Sequence, residues 1–360
     1  MDQNPGHSAR RGAGGHGCGV EARHRGGGRS PVNAVDVHCH VVVPELVGEG
    51  DWRARRVREG DRDVVEWRGQ RVLSAVGALA DPEAALEELD RVGVDAAILS
   101  PWVSMLPYEE QDVGLAREVC EAWNEGMSRV CARRPGRVWA FGAVPLQAPE
   151  EAARLLEDVR RRPGLVGVEV TARVGGRLLG EDAFEPVWEA AEALKLGVFV
   201  HPTTRGLGIP DLQEYYLWNT VGNPVETAMT AAHLVMSGVL ERHPRLVVLL
   251  AHGGGALPAL RGRLRHAHTF QPQARARLRE DVEVCLRRFY YDTVTHDPVL
   301  LRQLVEWVGP EQVVLGSDYP FDMGLAQPVE FVHRAELGEE AEARVLRDNA
   351  IRALGLEVWT

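Results

Sequence analysis

Lysine is nearly missing from this chain. Of its 41 basic residues only Lys195 is a lysine, so chemistry that needs an amine, or a carboxylated lysine between two metal ions, has one candidate. Cysteine is scarce as well, with five in 360 residues and none in a C-x-x-C pair. That excludes a disulfide-stapled scaffold and suits a reducing, cytoplasmic setting. Long apolar runs are absent too: charge-free stretches such as 246–260 fall below the ~18 residues of a membrane-spanning helix and contain His, Pro and Gly. Nor is there a surplus of cations. The formal net charge is −11, which argues against nucleic acid as a partner, and no membrane association is expected.

What is present is an ordinary globular balance, 45% hydrophobic and 26% charged. Residues 1–30 stand apart, with nine Gly, five Arg and three His. They read as a disordered tail rather than a leader, although His7, His16, Cys18 and His24 could loosely trap a metal ion. Residues 31–360 read as one domain. Strand-like runs fall at 35–43, 94–99, 138–144, 166–170, 197–200, 246–251, 289–292 and 312–316. Helical patterns lie between them near 82–91, 110–134, 149–161, 182–195, 223–242, 255–268, 297–308 and 338–353. Apolar strands that each lead into an amphipathic helix are parallel βαβ units, and eight of them predict an α/β fold, the (β/α)₈ TIM barrel. Residues 44–80 form a polar insertion after the first strand, and 269–288 an extra segment before the seventh.

In such a barrel the functional residues sit where strands end. The first strand ends in His38-Cys39-His40, the fifth in His201, the sixth in His252 before Gly253-Gly254-Gly255, and the eighth in Gly316-Ser317-Asp318. Residues i and i+2 of a strand share a face, so His38 and His40 can reach one ion while Cys39 turns to the core. His201 and Asp318 would approach across the barrel mouth, giving three neutral nitrogens and a carboxylate, a set that binds Zn²⁺ and leaves room for water. His252 is a fifth polar group that need not be a ligand; as a free imidazole it would be a general acid or base near neutral pH. The fourth strand reads Gly167-Val168-Glu169-Val170-Thr171 and Lys195 precedes the fifth, so no carboxylated lysine bridges two ions. Glu169 could bridge instead, but a single ion is preferred. His233, His243, His266, His268 and His296 read as structural or solvated.

The runs Val35-Asp36-Val37-His38-Cys39-His40, Val200-His201-Pro202, Ala251-His252-Gly253-Gly254-Gly255 and Gly316-Ser317-Asp318-Tyr319-Pro320-Phe321 resemble the amidohydrolase-related, metal-dependent decarboxylase family. Aminocarboxymuconate-semialdehyde decarboxylase and γ-resorcylate decarboxylase are members, and the resemblance runs over about residues 33–355. It implies one divalent ion on His38, His40, His201 and Asp318, with His252 catalytic alongside Asp318. It also implies substrate-carboxylate arginines at Arg71 and at Arg263, the latter reaching a neighbour's site in a homodimer. Trp218 and Tyr319 are candidate pocket walls. The function expected is a carboxy-lyase acting on a small unsaturated or aromatic carboxylic acid, with Zn²⁺ as the ion and Mn²⁺ as its rival. The alternative is a hydrolase of a lactone, ester or amide using metal-bound hydroxide. A catalytically silent metal-binding or assembly module is a third reading, against which the complete rim argues.

Overall fold

The computed structural model describes residues 32–358 apart from 61 and 69, with the backbone alone at 59, 62 and 70–77. The glycine-rich tail and its His7, His16, Cys18 and His24 lie outside the described residues.

Eight strands follow one another around a single sheet: β1 (Val35–Val41), β2 (Ala96–Pro101), β3 (Val138–Gly142), β4 (Leu165–Thr171), β5 (Gly197–His201), β6 (Val248–Leu250), β7 (Tyr290–Asp292) and β8 (Val313–Val314). Every neighbouring pair is parallel. The ring is drawn shut where the chain beyond β8 meets β1. There Val37 N–H donates to Leu315 O at 2.9 Å, Asp318 N–H to His38 O at 2.7 Å and His40 N–H to Tyr319 O at 2.7 Å. The barrel expected from the strand–helix alternation is therefore observed.

Helices α1 (Pro82–Arg91), α2 (Val113–Arg133), α3 (Pro149–Arg161), α4 (Glu185–Leu194), α5 (Asn223–Met236), α6 (Leu257–Phe270) and α7 (Pro298–Val308) follow β1 to β7 in turn. Three short helices, the last Asn349–Leu354, follow β8. Asp81, Asp112 and Asp297 cap α1, α2 and α7, each accepting a backbone N–H of the first turn. A proline opening α1, α3 and α7 costs nothing, because the first N–H groups of a helix have no internal acceptor. Among the described residues no helix is long and apolar enough to cross a membrane.

Alternation along the strands divides the core in two. Val35, Val37, Ile98, Phe141, Phe199, Leu249 and Val314 fill the barrel, while Leu99, Val168, Val170, Val198 and Val200 pack outward with helix residues such as Trp123, Leu156, Trp188 and Leu304. Gly167 marks the tightest approach of β4 to β5, since a Cβ there would lie 2.1 Å from Gly197 O. β1 breaks the alternation once. Its register against β2 shifts between Asp36 and Cys39, so that Val37 belongs to the inner cluster and the His38 ring nevertheless meets Phe199 at 4.8 Å inside the barrel. A bulge re-aims the chain there. Cys39 turns outward into the core and its Sγ–H donates to Ile98 O at 3.5 Å.

The insertion after β1 is more ordered than its composition suggests. It holds a three-stranded antiparallel sheet of Arg55–Glu59, Arg62–Trp67 and Gln70–Val76. Its outer strand is rich in arginine and exposed, which hides the two-residue period that normally reveals a strand. Arg71 lies on the last of these strands, in register with Glu66.

Candidate metal centre

β1, β5 and the turn after β8 bring four side chains to one point. The ligand atoms of His38, His40, His201 and Asp318 all lie within 4.8 Å of one another, and all four residues are buried. Nε2 of His38 is 3.2 Å from Nε2 of His40. Asp318 Oδ1 is 3.3 Å from the first and 3.4 Å from the second.

The other nitrogen of each ring decides what these atoms can do. His40 Nδ1 is 3.0 Å from Pro101 O and His201 Nδ1 is 2.9 Å from Pro202 O. A carbonyl only accepts, so in both rings Nδ1 carries the hydrogen and Nε2 presents a lone pair. His38 Nδ1–H donates to Asp292 Oδ2 at 2.5 Å. Nε2 of His201 and Oδ1 of Asp318 are buried with no hydrogen-bond partner. Lone pairs left unmatched inside a protein oppose folding unless something positive sits among them. Three imidazole nitrogens and a carboxylate converging in this way fit a divalent ion.

Charge within the cluster points the same way. Burial opposes a cation on His38, but the Asp318 and Asp292 carboxylates outweigh it and bring its pKa up to about 10. Burial and the neighbouring histidines push His201 well below the usual histidine range. Asp318 lies well below the carboxylate range, where burial is overcome by the charge on His38 and by the hydrogen bond from His252. A proton on His38 therefore does, in the free protein, what an ion does in the loaded one. The ion must displace that proton, so its affinity should rise with pH as long as His38 would otherwise be charged, up to about 10. Chelator-competition titrations between pH 6.5 and 8.5 should show about tenfold tighter binding per unit. A flat profile would mean that His38 is not the competing group.

Asp292, at the end of β7, supports the whole rim and has no counterpart in the sequence analysis. Besides His38 it accepts His252 N–H at 2.9 Å, Gly253 N–H at 2.7 Å and Val294 N–H at 3.0 Å. Asp36 stitches β1 to the end of β8: it accepts Ser317 Oγ–H at 2.5 Å, Ser317 N–H at 3.1 Å and His38 N–H at 2.9 Å. Burial pushes its carboxyl up to about 6.

His252 stands beside the four rather than among them. Its Nε2 is 3.3 Å from Asp318 Oδ2, its Nδ1 has no partner, and its backbone takes the left-handed φ of 57°. The two backbone bonds to Asp292 hold that conformation, which a non-glycine residue adopts at some cost. The glycines behind it are a steric necessity: a Cβ on Gly255 would lie 2.2 Å from Pro224 O. Glu169 is fully buried with both carboxylate oxygens unpartnered, and burial pushes its carboxyl well above the usual range. Its nearest imidazole atom is His40 Nδ1 at 3.8 Å, the nitrogen already committed to Pro101, so it does not join the converging Nε2 atoms. Lys195 closes the C-terminus of α4, just before β5 begins, and is far from the rim by its place in the fold.

A cavity of about 570 Å³ opens beside His252 and Asp318, and Asn219, Asn223, Arg261, His296, Leu304 and Met323 are among its walls. His296, expected to be structural or solvated, is one of these walls, and no motif in the sequence marks Arg261 or Asn223. Trp218 precedes the lining residue Asn219 and meets Tyr216 edge-on at 4.9 Å. Arg263 is exposed on α6. His243 Nε2 lies 2.9 Å from Glu185, and His268 Nε2–H donates to Leu278 O at 3.0 Å.

The sequence pattern of the family described as Amidohydrolase matches residues 35–356. The chain is similar to 2-amino-3-carboxymuconate-6-semialdehyde decarboxylase of Dictyostelium discoideum, with 28% identity over 333 residues, 90% of this chain and 92% of that protein. It is similar to γ-resorcylate decarboxylase of Rhodococcus jostii, with 28% identity over 294 residues, 76% of this chain and 88% of that one. Among solved structures, 5-carboxyvanillate decarboxylase from Sphingomonas paucimobilis shares the fold with a TM-score of 0.74 at 24% identity, covering 91% of this chain and 100% of that chain. Dihydroxybenzoic acid decarboxylase from Polaromonas sp., solved with bound manganese and 2-nitroresorcinol, gives 0.73 at 22% identity, covering 90% and 97%.

Proposed function

This chain belongs to the amidohydrolase family, and from that footing we propose that it is a metal-dependent decarboxylase, a carbon–carbon lyase acting on a small unsaturated or aromatic carboxylic acid. The observation that carries the reading is the convergence of His38, His40, His201 and Asp318 next to a fifth residue, His252, that faces a cavity. The decarboxylase relatives support it.

When bound, a divalent ion supplies Lewis acidity at the rim. His38, His40, His201 and Asp318 hold it, and Nε2–H of His252 supplies the proton. As the bond between the ring or chain carbon and the carboxylate breaks, its electron pair stays on that carbon and CO₂ leaves. The proton from His252 forms the new C–H bond, and His252 is recharged from solvent through the cavity. Asp318 Oδ2 holds the His252 ring at the edge of the cavity until the substrate arrives.

Zn²⁺ is the ion proposed, on the strength of three imidazoles and one carboxylate, and elemental analysis separates it from Mn²⁺. A cytoplasmic location is proposed from the four described cysteines, which are free and buried; cell fractionation tests it. The function itself is tested by CO₂ release over a panel of aromatic and unsaturated acids. Release from at least one acid is expected, whereas ester or lactone cleavage without CO₂ would replace this reading by the hydrolase.

The substrate arginines remain part of the proposal. Arg71 rests on the family resemblance and is tested by a raised KM in Arg71→Met. Arg263 is proposed to complete the site of a second copy, because it is exposed and, among the described residues, pairs with no carboxylate. Mixing Arg263→Ala with His252→Ala chains should restore activity, since a mixed dimer has one site with both residues. A mixture that exchanges subunits and stays inactive removes this role. Trp218 is proposed as a wall of the same site, tested by a raised KM in Trp218→Leu.

A further inference from the structure

Pro202 follows the last residue of β5, His201. A proline has no N–H, so the chain leaving the strand cannot be held there by a ladder bond. The next amide is held by a side chain instead. Thr203 N–H donates to Glu226 Oε2 at 2.7 Å, and Thr203 Oγ–H lies 2.9 Å from Oε1 and 2.8 Å from Oε2 of the same carboxylate. Glu226 is the fourth residue of α5 and is 1% exposed. Burial pushes its carboxyl up, and the Thr203 donors, with Arg173 and Arg205 nearby, pull it part of the way back. A carboxylate inside a protein opposes folding unless its oxygens are matched, and this one directs both to a single residue.

The peptide unit joining Pro202 to Thr203 takes part in two hydrogen bonds. Its N–H faces Glu226, and its C=O is the acceptor 2.9 Å from His201 Nδ1. The bond is trans, so the two groups point in opposite directions from one rigid plane. Fixing the N–H therefore fixes the carbonyl, and with it the direction of the His201 ring. A carboxylate on the N–H also polarises the amide and leaves its oxygen a stronger acceptor. A stronger acceptor at Nδ1–H makes Nε2 a better donor to an ion.

The other two imidazoles are held differently. His38 Nδ1–H reaches a carboxylate directly, at Asp292. His40 Nδ1–H reaches Pro101 O, but the N–H of that peptide unit, on Trp102, donates to the neutral Val41 O at 3.2 Å. Only the His201 carbonyl is backed by a charge, and Glu226 does not line the cavity beside His252.

We propose that Glu226 is a positioning residue of the metal centre: through the Pro202–Thr203 peptide it orients and polarises His201, and so tightens the grip of the site on its ion. The inference rests on the four-residue centre and not on the reaction run there, so its test needs no turnover.

Glu226→Gln keeps the shape, and an oxygen for Thr203 N–H, while removing the charge. Chelator competition with Zn²⁺ should find binding about tenfold weaker than in the wild type, the lower end of what a residue behind a ligand contributes, because a peptide stands between. Glu226→Ala, which also frees the peptide to turn, should be weaker still. A spectroscopic reading separates a relay from general loosening. In ¹H–¹⁵N spectra of the imidazoles, the His201 Nδ1–H proton should move upfield in Glu226→Gln as its acceptor weakens, and that of His40 should stay in place. Zn²⁺ affinity within about twofold of wild type in Glu226→Gln overturns the proposal, and so does an unmoved His201 signal. A common shift of His38, His40 and His201 overturns it too, because it reports a disturbed fold. Spectra of the metal-free protein carry the same comparison. A wild type that takes up no Zn²⁺ would refute the metal centre itself, and the His201 signal would still decide the relay.

Discussion

Replacing His38 or Asp318 by alanine is expected to empty the metal centre, from about one divalent ion per chain to below about a tenth of that. Each substitution removes one of four converging donors, and neither loss can be made good locally. Glu169 is the nearest spare carboxylate, but it faces the committed Nδ1 of His40. Elemental analysis of protein purified without chelator is the measurement. Full occupancy in either variant, or two ions in the wild type, would refute a single site built on these four residues.

His252→Ala is expected to keep its ion and to lose turnover by about 10²- to 10⁴-fold, the worth of a positioned general acid. The ring contributes no atom to the four-ligand cluster, yet its Nε2 lies 3.3 Å from Asp318 and its side chain is 16% exposed. Position 252 has a left-handed backbone, so the substitution could disturb the turn itself. Asparagine tolerates that conformation well, and His252→Asn should therefore show the same pairing of retained metal and lost rate. Loss of the ion in both variants would make His252 a ligand instead.

Much of this was legible because it is written in short periods. Two-residue spacing put His38 and His40 on one face, and apolar runs ending in His201, His252 and Asp318 marked where the strands stop. The supporting residues leave no such trace. Asp292 reaches His38 across 254 residues, and a lone aspartate ending a strand looks like any other. Arg261 differs from the other arginines of α6 only in the direction it faces, which depends on where the helix is docked. The β1 bulge is invisible because it is a relation between two strands rather than a property of one. The sheet of the insertion was missed because its exposed arginines mask the alternation.

The closure of the barrel at β1 and the chain beyond β8 carries a consequence for synthesis. The same few residues seal the ring and assemble the ion's donors: Asp318 N–H binds His38 O, and Asp318 Oδ1 meets Nε2 of His38 and His40. A growing chain emerging from the ribosome thus carries its two-histidine strand first of the eight, but the fourth donor arrives only after the seven later strands have been made. Until then the three imidazoles lack the carboxylate that joins their Nε2 atoms and the segment that closes the ring. Metal capture is a late event by construction, and a chain that stops short of the final strand ends as an open sheet with exposed edges.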